Sequence, residues 1–131
     1  MSAKILIVED HPDSREILGC QLRHMGYEVI EAARGPEGIE KAIVQGPDLI
    51  VMDLGLPGMN GIDATVKLKQ SPKTANIPVI AYTAWKEQNY RDRALEAGMA
   101  EFLTKPTPPA VFREVLQRVL QSNSRKMAST A

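Results

Sequence analysis

Three short runs of apolar, mostly branched residues end abruptly in polar side chains. Lys4-Ile5-Leu6-Ile7-Val8 stops at Glu9-Asp10, Asp48-Leu49-Ile50-Val51-Met52 stops at Asp53, and Ile77-Pro78-Val79-Ile80-Ala81-Tyr82 stops at Thr83. Unbroken apolar runs of this length suit strands buried on both faces, as in the middle of a parallel sheet. Two weaker runs, residues 27–31 and 100–104, complete a set of five predicted strands.

The stretches between them carry helical spacing. Ile17, Leu18, Leu22 and Met25 line one helix; Asp13 and Glu16 resemble a capping box at its start, and Gly26 closes it. Ile39, Ala42 and Ile43 mark a second, opened by Gly35-Pro36. A third, weaker pattern covers residues 61–70. A fourth covers residues 84–97 through Tyr90, Ala94 and Leu95 and is stopped by Gly98. Pro108-Pro109 opens a fifth, with a broad apolar face of Val111, Phe112, Val115, Leu116, Val119 and Leu120. That face is read as core packing, part of which can meet a partner. Strand and helix therefore alternate. Right-handed crossovers would place helices on both faces of a parallel sheet, an α/β doubly wound, three-layer sandwich. Residues 122–131 are polar and patternless, so the expected domain is 1–121 with a frayed tail.

Composition narrows the function classes. A chain of 131 residues is one domain's worth, and 44% hydrophobic with 24% charged residues is ordinary for a globular protein. Sixteen basic and sixteen acidic side chains balance, which gives no electrostatic reason to expect direct nucleic-acid binding or an anionic membrane partner. The single Cys20 cannot pair internally and suggests a reducing, cytoplasmic setting. No apolar run approaches the roughly 20 residues of a membrane span, and the start of the chain leads directly into a strand without a secretory pattern.

The chemistry lies where the predicted strands end. In an open parallel sheet the carboxyl ends share one edge, and ligands bind there. Glu9, Asp10, Asp53, Thr83 and Lys105 thus converge from distant parts of the sequence. Clustered carboxylates call for a positive partner, and an all-oxygen set favours a hard divalent cation such as Mg²⁺ or Mn²⁺. Lys105 adds a compact point charge, and Thr83 a hydroxyl donor. A carboxylate, a metal, a lysine and a hydroxyl are the equipment for phosphoryl transfer to an aspartate.

At this point the chain resembles the receiver domain of two-component response regulators. The matching residues are Ile7-Val8-Glu9-Asp10, Met52-Asp53-Leu54-Gly55-Leu56-Pro57-Gly58-Met59-Asn60-Gly61, Thr83-Ala84 and Phe102-Leu103-Thr104-Lys105-Pro106. The resemblance spans roughly residues 4–121. It implies the flavodoxin-like strand order 2-1-3-4-5 of the chemotaxis receiver. It implies that Asp53 is the phosphoacceptor, that Asp10 binds the metal directly, that Glu9 acts mainly through water, and that the Gly55 carbonyl is a further ligand. Lys105 would pair with the phosphoryl group and Thr83 would hydrogen-bond it. Phe102 takes the switch-aromatic position, Lys105-Pro106 that of a cis peptide, and Ala84, Trp85 and Pro106 flank the site. The implied phosphodonor is a sensor histidine kinase or a histidine phosphotransfer protein. Output would be the binding of a downstream protein to the face formed by the fourth helix, fifth strand and fifth helix, by a monomer or a phosphorylation-dependent dimer. The domain would assist its own phosphorylation without turning over an external metabolite.

Each of these residues also has a plainer reading. A lone Asp53 would be a turn or cap residue, Lys105 a solvated lysine and Thr83 a cap for the next helix. His11 reads as a loop or cap residue that can lie at the mouth of the site, and Cys20 as structural or idle. Gly55 and Trp85 depart from the family's usual residues. Either Trp85 screens the acyl phosphate from water while Gly55 leaves the other side open, or Trp85 sits on the outer surface of the fourth helix as a partner anchor. The rival functions are a receiver that is never phosphorylated and serves as a binding module, a haloacid-dehalogenase-type phosphatase, and a flavodoxin-like cofactor carrier. The phosphatase needs its nucleophile on the first strand with a second aspartate two residues later, but Pro12 holds that place. The carrier needs a phosphate cradle where Glu9-Asp10 would repel one. No output domain is expected after Gln121, so the output is protein contact or a domain outside this chain.

Overall fold

The computed structural model describes residues 2–129. Five parallel strands form one sheet in the order β2-β1-β3-β4-β5: β1 Lys4–Val8, β2 Glu28–Ala32, β3 Leu49–Met52, β4 Val79–Thr83 and β5 Glu101–Thr104. The helices that connect and flank them are α1 Pro12–His24, α2 Gly35–Gln45, α3 Gly61–Gln70, α4 Gln88–Glu96 and α5 Pro109–Ser129. This is the flavodoxin-like doubly wound architecture expected from the sequence.

The central strands are apolar throughout because both of their faces are covered. Ile5, Ile7, Leu49, Val51 and Ile80 face Leu18, Leu22, Phe112, Val115, Leu116 and Val119 of α1 and α5. Leu6, Val8, Ile50, Met52, Val79 and Ala81 face the other way, against Ala42, Ile62, Ala64, Leu68 and Ala94 of α2, α3 and α4. Burying one large aliphatic side chain is worth roughly 1.5–3 kcal/mol, and two such layers lock the sheet between helices. Register follows from the pairing of Ile7 with Val51 and of Val51 with Ile80. It brings the carboxyl ends of β1, β3 and β4 level.

Several local expectations are corrected. No capping box forms at α1: Pro12 takes the first helical position, His11 is the N-cap, and His11 makes no side-chain cap bond. Pro12 needs no N–H partner and its φ already suits a helix, so the helix opens before Glu16 could act. Ile17, placed on the apolar stripe, is exposed. The fourth helix begins at Gln88, four residues later than residue 84, which leaves Trp85 in the β4–α4 loop. At the other end, the helical backbone of α5 continues past Gln121 to Ser129, while residues 130–131 lie outside those described.

Candidate functional site

Glu9, Asp10, Asp53, Thr83 and Lys105 gather at one edge because each closes or follows a strand of the same parallel sheet. Glu9 and Asp53 are drawn into the ladder itself. The Glu9 N–H donates to the Ala32 carbonyl at 3.0 Å and the Asp53 N–H to the Val8 carbonyl at 3.1 Å. Lys105 N–H donates to the Thr83 carbonyl at 2.8 Å. Backbone bonds therefore set the spacing before any side chain does.

Lys105 is the hub. Its ammonium donates to Glu9 Oε1 and, at 3.2 Å, to Asp53 Oδ2. It also lies 5.6 Å from the centre of the Tyr82 ring, within cation–π range. Glu9 is 3% and Asp53 9% exposed, so these are charges largely removed from water. Burial opposes the ammonium form of Lys105, but the hydrogen bond to Glu9 and the charges of Asp53 and Glu9 outweigh it and hold its pKa above the usual lysine value. The second oxygen of Asp53 accepts the Gly55 N–H at 3.1 Å. Both carboxylate oxygens of Asp53 are thus oriented. Thr83 is fully buried, and its hydroxyl accepts the Trp85 N–H at 3.2 Å.

Asp10 differs from its neighbour. Among the described residues its Oδ1 is the one buried side-chain polar atom without a hydrogen-bond partner. A buried oxygen left bare is costly unless something positive meets it. Together with Glu9 and His11, Asp10 places ligand atoms within 4.8 Å of one another. The donor set fits a divalent cation: the bare Asp10 oxygen is the first ligand it offers.

Trp85 and Gly55, which the sequence could name but not relate, are in contact. A Cβ on Gly55 would come 3.2 Å from Cζ2 and 3.3 Å from Cε2 of the Trp85 indole. The indole fills the space a side chain at position 55 would take. It packs at 4.7 Å on the Tyr90 ring and is 38% exposed. Gly55 therefore does not leave its side open, and Trp85 is not on the outer surface of α4. Ala84 and Pro106 are exposed at the rim, and the Lys105–Pro106 peptide is cis. Phe102, at the switch-aromatic position, is buried on the α4 side of the sheet.

Two supports escaped sequence reading. The Arg15 guanidinium donates to the Glu9 carbonyl at 2.8 Å and pairs with Glu31 at 3.4 Å. It ties the β1–α1 loop to β2, and its position three residues into α1 carried no sequence signal of that task. Gly61 is the second: a Cβ there would fall 2.2 Å from the Asp53 carbonyl oxygen, so only glycine lets α3 start this close to the acidic strand end. Beside Lys105 runs a groove of about 470 Å³, lined by Ile17, Leu18, Tyr82, Pro106 and Pro108 among others. No helix among the described residues is long and apolar enough to cross a membrane.

Comparison with known proteins agrees with this geometry. The profile of the response regulator receiver domain matches residues 5–117. The chain is 41% identical over 106 residues to the response regulator PleD of Caulobacter vibrioides, covering 81% of this chain and 23% of PleD. It thus spans about a quarter of that relative. It is 33% identical over 118 residues to protein PilH of Pseudomonas aeruginosa, covering 90% of this chain and 98% of PilH. The receiver domain of a Pseudomonas aeruginosa sensor histidine kinase, solved with a magnesium ion coordinated in its active-site cleft, superposes with a TM-score of 0.86 at 35% identity, over 92% of this chain and 99% of that one. A five-stranded 2-1-3-4-5 sheet, an acidic edge with its lysine, and a profile match over nearly the whole chain all agree: this protein belongs to the response regulator receiver domain family of two-component signalling.

Proposed function

We propose that Asp53 accepts a phosphoryl group from a phosphohistidine, carried by a sensor histidine kinase or a histidine phosphotransfer protein, and that a downstream protein reads the product. The observation that carries this reading is Lys105, a cation just after β5 that reaches Glu9 at the end of β1 and Asp53 at the end of β3. Phosphoryl transfer asks a protein mainly for positioning and charge stabilisation. Lys105 and the Gly55 N–H hold the two Asp53 oxygens in one orientation. A divalent cation, Mg²⁺ or Mn²⁺, would be held by Asp10, Asp53 and the Gly55 carbonyl, with Glu9 acting through water, and would supply charge neutralisation at the phosphoryl oxygens. A carboxylate oxygen of Asp53 attacks phosphorus in line. The P–N bond breaks, and its electron pair stays on the donor imidazole. The groove beside Lys105 offers the donor an apolar approach.

The acyl phosphate adds about 1.5–2 negative charges. Lys105 then exchanges a carboxylate oxygen for a phosphoryl oxygen, and the Thr83 hydroxyl donates to another. Phe102 inward is the arrangement this step favours, so phosphorylation biases states of the α4-β5-α5 face that already exist. The domain works in the cytoplasm, as a monomer or a phosphorylation-dependent dimer, through protein contact and not by binding nucleic acid itself. It catalyses no reaction on an external metabolite. Incubation with Mg²⁺ and acetyl phosphate, followed by intact mass, tests the reading. The expected result is a one-phosphate adduct that Asp53→Asn lacks. No adduct under any condition would leave a binding module that is never phosphorylated.

A further inference from the structure

We propose that His11 contributes a nitrogen ligand to the divalent cation held by Asp10, shifting that site's preference from Mg²⁺ toward first-row transition ions such as Co²⁺. The inference rests on the reading of Asp10 as a metal ligand. It concerns a residue that has no part in the phosphoryl chemistry described above.

His11 Nδ1 lies 3.4 Å from Asp10 Oδ1 and 3.4 Å from Glu9 Oε2. Yet among the described residues Asp10 Oδ1 accepts no hydrogen bond, from that nitrogen or any other group. In the Glu9 contact only the nitrogen can donate, so Nδ1 carries a proton there, and a cation that displaces that proton would meet the imidazole lone pair beside the bare Asp10 oxygen. Their separation is that of two ligands on one ion: metal–ligand bonds of about 2.1 Å give ligand–ligand edges from roughly 3.0 Å in an octahedron to roughly 3.4 Å in a tetrahedron. Glu9 is less available. Its Oε1 is taken by Lys105, and its Oε2 accepts the His11 backbone N–H at 3.2 Å and meets the ring Nδ1 at 3.4 Å. The direct pair is therefore Asp10 with His11, and Glu9 holds the loop beneath them.

The backbone keeps the imidazole at this place. His11 precedes Pro12, whose ring excludes the helical conformation from the residue before it. His11 is accordingly extended, at φ −79° and ψ 117°, and caps α1 with its backbone alone. Its side chain is 73% exposed and lies beside the acidic cluster. An oxygen-only set suits Mg²⁺, whereas imidazole adds affinity for the later first-row ions. His24, at the far end of α1, has no place in this cluster and serves as a control.

Equilibrium dialysis of the whole chain against Mg²⁺ alone or Co²⁺ alone measures the preference. The expected result is that His11→Ala weakens Co²⁺ binding by about tenfold or more, leaves Mg²⁺ binding within about twofold, and differs from His24→Ala, which matches wild type for both. Pulsed electron paramagnetic resonance of the Mn²⁺-loaded protein should show a directly coordinated nitrogen in wild type and His24→Ala that is lost in His11→Ala. Equal Co²⁺ affinity in wild type and His11→Ala, or a nitrogen signal that survives the substitution, overturns the inference while Mg²⁺ binding keeps the Asp10 reading intact. Failure of the wild type to bind either ion overturns both.

Discussion

Replacing Lys105 with Met tests what the site's cation is worth to the fold. Methionine keeps most of the aliphatic stem and removes the charge. Glu9 and Asp53, 3% and 9% exposed, then share a nearly dry edge without a counter-ion. Breaking a buried pair by removing one partner costs about 3–5 kcal/mol, and an exposed pair is worth under about 1 kcal/mol. The Lys105 side chain is 25% exposed, so the cost falls between, near 2 kcal/mol. For a domain of this size that lowers Tm by about 5–10 °C. Thermal unfolding in EDTA at neutral pH measures it. The pH dependence has a definite sign. Because the folded pKa of Lys105 is raised, its contribution is complete below the ordinary lysine value and is lost as pH rises through the folded value. Wild type should therefore converge on Lys105→Met only in strong alkali. Adding Glu9→Gln should recover part of the loss, and Mg²⁺ should stabilise Lys105→Met more than wild type. A Lys105→Met variant that melts with wild type in EDTA refutes the argument.

Trp85→Ala uncovers Gly55 and opens the site to water, so the phosphoryl half-life should shorten severalfold; an unchanged lifetime, read by intact mass over time, sinks the shielding role. Gly61→Ala drives a methyl group into the Asp53 carbonyl. It should cost at least about 1–3 kcal/mol and lower the yield of acyl phosphate, and a variant with the wild-type melt and yield would contradict this contact. Arg15→Met removes the donor to the Glu9 carbonyl. A charge-assisted bond worth about 1.5 kcal/mol corresponds to roughly tenfold weaker Mg²⁺ binding, which calorimetric titration would show or deny.

The strands of this sheet were readable because burial on both faces leaves no polar interruption, and because each run ends where the chemistry begins. β1, β3 and β5 fall within a residue of their expected limits. α3 was placed to the residue, its N-cap Asn60 accepting the Asp63 N–H at 2.9 Å. Ala84 to Glu87 are compatible with a helix by sequence, so the pattern extends the fourth helix to residue 84, while tertiary contact holds Trp85 over Gly55 instead. Ile17 was assigned to the core by spacing alone, but in the fold it borders the groove beside Lys105. The site residues were legible because they fall together at the carboxyl ends of strands of one parallel sheet, where any one of them alone would pass as a turn or cap residue. Their supports were not. Arg15 resembles any solvated helix arginine until β2 brings Glu31 beside it, and the match of Gly55 to Trp85 joins residues thirty positions apart.

Lys105 follows the outermost strand. Among the described residues β5 pairs with β4 alone, so one row of its backbone groups lies outside the ladder. Partial opening of a native protein begins at such margins, at a free-energy cost below that of global unfolding. Separation of β5 from β4 would withdraw the lysine from Glu9 and Asp53 while β1 and β3 stay zipped. The two carboxylates and their cation are thus assembled by parts of different durability. Amide hydrogen exchange should resolve them, with the β5 amides exchanging by a lower-energy opening than those of Ile7 and Val51.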